Sequence, residues 1–273
     1  MAKTWFITGT SRGFGREWAT AALERGDSVA ATARDTSTLD DLVERFGDRV
    51  LPLALDVTDR SAAAPAVAAA VERFGRLDVV VNNAGYGQFG MVEELSEDDA
   101  RRQMEVNLFG ALWVTQAVLP QLRSQGSGHV LQVSSIGGIS AFQDVGMYHA
   151  SKWALEGLSQ SLAQEVSGFG ISVTLVEPGG FATDWGGSSA RHAEPMEAYE
   201  GVREAAQQAR SSRTSAPGDP TASAAAVLQV VDADEPPLRI FLGAAPLAIA
   251  EKDYASRLET WRAWQPVAEK AGG

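Results

Sequence analysis

Tyr148 and Lys152 stand four residues apart in Tyr148-His149-Ala150-Ser151-Lys152, so on a helix a phenol and an ammonium share one face. A Lys ammonium beside a phenol favours phenolate and draws its pKa down from about 10, toward the range where it exchanges a proton near neutrality. Upstream, Ser135 ends the run Val130-Leu131-Gln132-Val133-Ser134-Ser135, which reads as a strand. A hydroxyl at the carboxyl end of a strand in an open parallel sheet lies where ligands bind. Taken alone, a Tyr/Lys pair on a helix is more often surface decoration.

A second group is Thr8-Gly9-Thr10-Ser11-Arg12-Gly13-Phe14-Gly15, which follows one apolar run and opens a helical pattern. Glycines at such a junction permit a tight turn and close approach of the backbone to a pyrophosphate. The helix N-terminus presents unpaired N–H groups to the anion. The spacing is GxxxGxG rather than GxGxxG, so an ordinary strand-to-helix turn is a second reading. A third lies in Gly9-Thr10-Ser11-Arg12-Gly13, which spells GxSxG, the nucleophile elbow of a serine hydrolase with Ser11 attacking an ester. That elbow needs an oxyanion loop from an earlier strand, and only ten residues precede Ser11.

These groups need a frame to hold them. Short β-branched or apolar runs alternate with longer helical patterns, and strands are predicted at 3–8, 28–33, 50–55, 78–81, 128–135, 171–176 and 238–242. The alternation specifies an α/β fold: βαβ units feeding a doubly wound parallel sheet of about seven strands, with helices on both faces. Ser96 with Asp99 makes a capping box before a helix predicted to run to Leu119 and stop at Pro120. The Ala-rich stretch 61–71 reads as a helix after Asp59, with Pro65 a kink or a late start. Between 180 and 220 the pattern dissolves, as a lid or substrate loop does. A helix at 221–231, the strand at 238–242 and an aromatic tail with Trp261 and Trp264 close a single domain spanning 1–273.

Composition excludes other chemistries. The 273 residues include no cysteine, hence no disulfide, thiolate nucleophile or Cys-ligated metal. A net charge of −12 repels nucleic acid and anionic membranes, so neither is an expected partner. No apolar run is long enough to span a bilayer and the N-terminus lacks a signal-peptide layout, so a cytoplasmic protein is expected. His129, His149 and His192 have no metal-ligand spacing, and no metal is expected. Glu93-Glu94 and Glu97-Asp98-Asp99 read as helix-start charge rather than a catalytic pair.

Taken in order, TGTSRGFG, Asn82-Asn83-Ala84-Gly85, Asn107, Ser135, YHASK and Pro178-Gly179 resemble the short-chain dehydrogenase/reductase family in its single-domain form. The likeness covers residues 3–183 and, more loosely, 238–242. It implies a Rossmann-type NADP-binding oxidoreductase domain. By this resemblance Tyr148 is the general acid in reduction and base in oxidation, and Ser135 hydrogen-bonds the substrate oxygen. Lys152 holds the nicotinamide ribose and lowers the pKa of Tyr148, while Asn107 supports a water that relays protons to Lys152. Gly9, Ser11, Arg12, Gly13, Phe14 and Gly15 form the phosphate loop. Asn83 and Gly85 line the adenosine side, Asp56 and Val57 meet the adenine, and Pro178, Gly179, Phe181 and Thr183 meet the nicotinamide. Two plainer roles stay open: Asp56 starting a turn with Thr58 and Asp59, and Asn107 capping or bridging helices.

The resemblance also bears on which nicotinamide is used. In NAD enzymes of this type an acid ends the second strand and binds the ribose 2′-hydroxyl. That position here is Ala33, followed by Arg34, and Arg12 adds a second guanidinium, which together point to NADP(H). Asp35 is expected to point outward or to cap the helix at 37–46. A pocket bordered by Phe89, Ile136, Phe142, Met147, Trp185 and the loop around Met196 and Tyr199 suits a hydrophobic ketone or secondary alcohol. Arg191 and Arg203 are cations on the loop that could alter that preference. Small residues Ala150, Ala154, Gly157 and Ser161 on the Tyr148 helix, with the helix at 97–119, point to a homodimer or homotetramer. The rival readings are a catalytically silent NADP-sensing regulatory protein on the same fold, and the serine hydrolase built on Ser11.

Overall fold

Trp5, Ile7, Val29, Ala31, Val79, Val81 and Leu131 pack into one apolar layer, and Phe6, Ala30, Val80 and Val130, which lie between them in sequence, into another. Successive side chains of a strand point to opposite faces, so this division means a sheet covered on both sides. The computed structural model describes residues 2–211 and 216–272 and shows that sheet. In chain order the strands are β1 (Thr4–Ile7), β2 (Ser28–Ala33), β3 (Val50–Ala54), β4 (Val79–Asn82), β5 (Gln88–Phe89), β6 (Gly128–Val133), β7 (Ile171–Pro178), β8 (Arg191–His192) and β9 (Arg239–Leu242). Seven of them form one parallel sheet, ordered β3-β2-β1-β4-β6-β7-β9. The short β5 and β8 pair separately above it.

Helices α1 (Gly13–Glu24), α2 (Asp40–Phe46) and α8 (Pro220–Asp232) cover the first face with Trp18, Leu23, Leu42, Val227 and Val231. Helices α3 (Arg60–Phe74), α5 (Gly110–Gln125) and α6 (Gly146–Val166) cover the second with Val67, Val114, Val118, Leu122 and Leu162. The strand order turns outward in opposite directions from β1 and β4, and a cleft opens at their carboxyl ends, as it does at such switch points.

Capping follows the predicted pattern. Asp59 accepts from Ser61 N ahead of α3, and Ser96 and Asp99 cap each other's backbone at the start of α4 (Glu97–Met104). Three expectations need correction. Pro120 does not end its helix: α5 continues to Gln125, because Val114, Val118 and Leu122 keep one buried stripe while Pro120 faces solvent, where water can serve the carbonyl it leaves unpaired. Likewise Pro65 lies inside α3 without delaying its start. Part of the 180–220 segment is not loop: α7 (Glu200–Ser211) forms there, and 212–215 lie outside the described residues. The aromatic tail belongs to a long helix, α9 (Ala245–Ala268), from which Trp261 and Trp264 stand exposed.

Candidate active site

The turn from β1 into α1 is shaped by contacts that only glycine tolerates. Gly9 has φ +70°, and its carbonyl accepts from Asn83 Nδ2 at 3.0 Å. A Cβ on Gly15 would lie 2.4 Å from Asn83 Nδ2 and 2.5 Å from the Gly9 oxygen, which no side chain survives. Thr8 Oγ1 accepts from Asn83 N (2.9 Å) and Ala84 N (3.0 Å), so the glycine turn and the segment after β4 form one unit. Arg12, extended at the N-cap, gives α1 no side-chain cap, which leaves the first N–H groups of the helix open. That cradle fits a pyrophosphate.

Tyr148, Ser151, Lys152, Leu155, Ser159 and Leu162 lie on the buried stripe of α6, which carries its phenol and ammonium where the helix meets the cleft. Lys152 Nζ donates to Val133 O at 2.7 Å, tying α6 to the end of β6. Two residues on, Ser135 opens a tight turn and its Oγ accepts from Gly137 N at 2.9 Å. Burial pushes the Tyr148 phenol up to about 12, against which a hydrogen bond with Ser135 works. Burial also pulls Lys152 down to about 8, opposed by the charge of Glu156. The expected lowering of the Tyr148 pKa by Lys152 is therefore not present in this state. The ammonium is directed to the Val133 carbonyl and sits 5.8 Å from the phenol ring centroid, while desolvation dominates both groups.

Asn107 lies within the π-turn Glu105–Phe109 that joins α4 to α5. Its amide donates to Tyr86 O (3.0 Å) and Ser151 Oγ (3.3 Å), and its Oδ1 accepts from Tyr86 N (3.1 Å). It thus bridges α6 to the segment after β4, which is the plainer of its two expected roles, beside Lys152 on the same buried wall. Trp185 packs on Tyr148 with centroids 4.9 Å apart and on Phe89 at 5.2 Å, closing the cleft from above.

A profile of the short chain dehydrogenase family matches residues 3–194. The protein belongs to that family. The solved short-chain dehydrogenase from Streptomyces avermitilis superposes with TM-score 0.91 and 41% identity, covering 99% of this chain and 98% of that one. Oxidoreductase BOA17 of Botryotinia fuckeliana (strain B05.10) is 48% identical over 267 residues, which is 96% of this chain and 97% of that protein. An alcohol dehydrogenase from the archaeon Thermococcus sibiricus, complexed with 5-hydroxy-NADP, is 28% identical with TM-score 0.75 over 90% of this chain and 98% of that one. The protein is thus an oxidoreductase of the short-chain dehydrogenase family.

The dehydrogenase cleft has a volume of about 1120 Å³. Its walls bring together Gly9, Ser11, Arg12, Gly13, Phe14, Arg34, Asp56, Val57, Asn83, Gly85, Ser135, Tyr148, Lys152, Pro178, Gly179, Phe181 and Thr183. Gly15 and Asn107 stand behind the wall as supports. Asp56 accepts from Thr58 N and Oγ1, so it does start the turn expected of it while facing the cleft. Arg34 is exposed at the end of β2, and Asp35 is spent on capping the turn Thr36–Leu39. Phe181 packs edge-on against Phe14 at 5.0 Å, and Thr183 accepts from Trp185 N.

Phe89, Ile136, Phe142 and Trp185 line the cleft as expected, whereas Met147, Met196 and Tyr199 do not. Tyr199 donates to Glu93, and Glu94 accepts from Met196 N and from both Nη atoms of Arg203, which turns that part of the loop away. Arg203 and the amides of Met196 and Met91 hold Glu94 down at about 2. The lining is also less apolar than expected, because Arg102 and Arg191 reach it, Arg102 paired to Asp98. Sequence reasoning missed Asp184 and Ser188, which bind Arg12, and Tyr86, whose buried hydroxyl has no hydrogen-bond partner among the described residues. None carries a local pattern that would mark it. His129 bonds Thr174, His149 is spent on Gly137 O and Phe142 N, and His192 stacks on Phe89, and among the described residues none of the three is hydrogen-bonded to Ser11.

Proposed function

We propose that the protein is an NADP(H)-dependent carbonyl reductase or secondary-alcohol dehydrogenase acting on a largely apolar ketone. The observation that carries this reading is one continuous cleft with Tyr148, Ser135 and Lys152 at one end and Arg34 beside Ala33 at the other. A nicotinamide, when bound, supplies or takes the hydride. Ser135 donates a hydrogen bond to the carbonyl oxygen and stabilises the charge that develops there. Tyr148 gives that oxygen its proton, helped by its hydrogen bond with Ser135, and Lys152 steadies the ribose. Phe14 and Phe181 pack the glycine turn against the segment after β7. Trp185 and Phe89 exclude water from the reacting end. The complex of the Thermococcus sibiricus relative with 5-hydroxy-NADP is in keeping with this choice.

Substrate preference follows from the walls. Phe89, Phe142 and Trp185 favour aryl or alkyl ketones, and Arg191 favours an acidic group at the far end. Ala150, Gly157 and Ser161 face outward on α6, which supports pairing of this helix between copies in a homodimer or homotetramer. The test is consumption of NADPH and of NADH with ketones differing in ring size and in an acidic tail, beside a nitrophenyl ester assay. NADPH-dependent reduction with no ester turnover is expected. Nicotinamide binding without turnover of any ketone would favour the silent sensor.

A further inference from the structure

Two buried carboxyls share one guanidinium outside the site described above. Glu156 follows Lys152 at i+4 on the buried stripe of α6, and Glu177 stands on β7 immediately before Pro178. The Glu177 side chain is fully buried, and that of Glu156 is 8% exposed. They share Arg239 of β9, whose Nε donates to Glu156 Oε2 at 3.0 Å and lies 3.4 Å from Glu177 Oε1. Among the described residues, Glu156 Oε1 and both oxygens of Glu177 have no hydrogen-bond donor. Ser134 Oγ is unpartnered as well, and a Cβ on Gly138 would meet it at 2.6 Å and Glu156 Oε1 at 3.2 Å, so these groups converge. Two carboxylates against one guanidinium would leave a net buried charge and three orphan acceptors. One proton removes the net charge, and a protonated Glu177 that donates to Glu156 leaves one orphan acceptor in place of three.

We propose that Glu156 and Glu177 hold one proton between them and serve as positioning residues that keep the ammonium of Lys152 charged. This rests on the reading of Tyr148 and Lys152 given above. Burial and the neighbouring Glu156 push Glu177 up to about 8, the same region to which burial brings Lys152. Rising pH therefore strips Glu177 where Lys152 would itself lose its proton, and the new negative charge favours the ammonium. The other titratable or charged groups around the pair are Tyr148 on α6, Arg239 on β9, and Glu251, Asp253, Tyr254 and Arg257 on α9. Of these, Asp253 and Arg257 pair with each other at 2.6 Å. A cavity of about 350 Å³, lined by Glu177, Arg239, Glu251 and Tyr254 and separate from the cleft, adjoins the pair.

Infrared difference spectra of the full-length protein across pH 6.5 to 9.5 test the shared proton. A protonated-carboxyl band that vanishes with a midpoint near 8, and is missing in Glu177→Gln, is expected; its absence from the wild type overturns the proposal even where a variant fails to fold. Nicotinamide fluorescence titrations over the same range test the link to Lys152. The pH at which NADPH affinity falls should drop by about one unit in Glu156→Gln and by less in Glu177→Gln. Affinity lowered equally at every pH, with that midpoint unmoved, would mean a purely structural role. Neither readout needs turnover, so failure to reduce any ketone would refute the reading of Tyr148 and leave these two results to decide the pair.

Discussion

Arg12 Nη1 lies 2.8 Å from Asp184 Oδ2, a contact that ties the glycine turn to the loop after β7. The same guanidinium donates to Ser188 Oγ at 3.0 Å, and Ser188 and Ser189 both donate to Asp184. A cation assigned to the cofactor is thus already paired, and a 2′-phosphate must compete with Asp184 for it. Asp184→Asn should tighten NADPH several-fold and NADH less, read by nicotinamide fluorescence. Equal change for both cofactors would mean that Arg12 does not meet the phosphate.

Arg34 has no such pairing among the described residues and stands beside Ala33, where an acid would bind a ribose hydroxyl. Loss of one charge-assisted contact predicts that Arg34→Ala weakens NADPH by about 10- to 100-fold and leaves NADH nearly unchanged. Ala33→Asp combined with Arg34→Ala should invert the preference, since a carboxylate accepts from a hydroxyl and repels a phosphate. Parallel titration of both variants checks this.

Tyr148→Phe keeps the ring that packs against Trp185 and His149 and removes the hydroxyl proposed to protonate the ketone oxygen. A fall in kcat of about 100-fold or more is expected, with NADPH affinity retained. Near wild-type turnover by this variant would exclude Tyr148 as the proton donor.

His129 is buried and bonds Thr174 Oγ1 at 2.9 Å, while Thr174 donates to Pro237 O. Burial, helped by Lys3, holds the imidazole down at about 4. Between 6.5 and 4 the unfolded chain then binds the proton that the folded one refuses, so this stability is present above 6.5 and lost as pH falls through that window. The loss should reach about 2–3 kcal/mol at pH 4.5 in urea titrations. His129→Gln should flatten that slope. Glu94, held at about 2, contributes in a separate and lower window.

Much of this was legible because it is local. Short β-branched or apolar runs wrote the strands, Ser96 with Asp99 and Asp59 wrote helix starts, and the spacing of Tyr148 and Lys152 put both on one face of α6. Such patterns depend on backbone periods of two and 3.6 residues, which a chain carries before it folds. The helix α7 escaped because its apolar stripe is short, and its docking depends on Arg203 reaching Glu94, 109 positions away in sequence.

Tertiary structure decided the electrostatics. Sequence spacing put an ammonium beside a phenol and implied a lowered Tyr148 pKa, but packing of α6 on β6 buried both and sent Lys152 to the Val133 carbonyl. The pairing of Arg12 with Asp184, the seat of Trp185 on Tyr148, and the meeting of Glu156, Glu177 and Arg239 join residues from different elements. No local period encodes such meetings, because desolvation and Coulomb energies depend on distance and burial in three dimensions. The order of motifs in the chain was enough to indicate the family and the residues of the cleft, while the charge each of those residues carries was set by the packing around it.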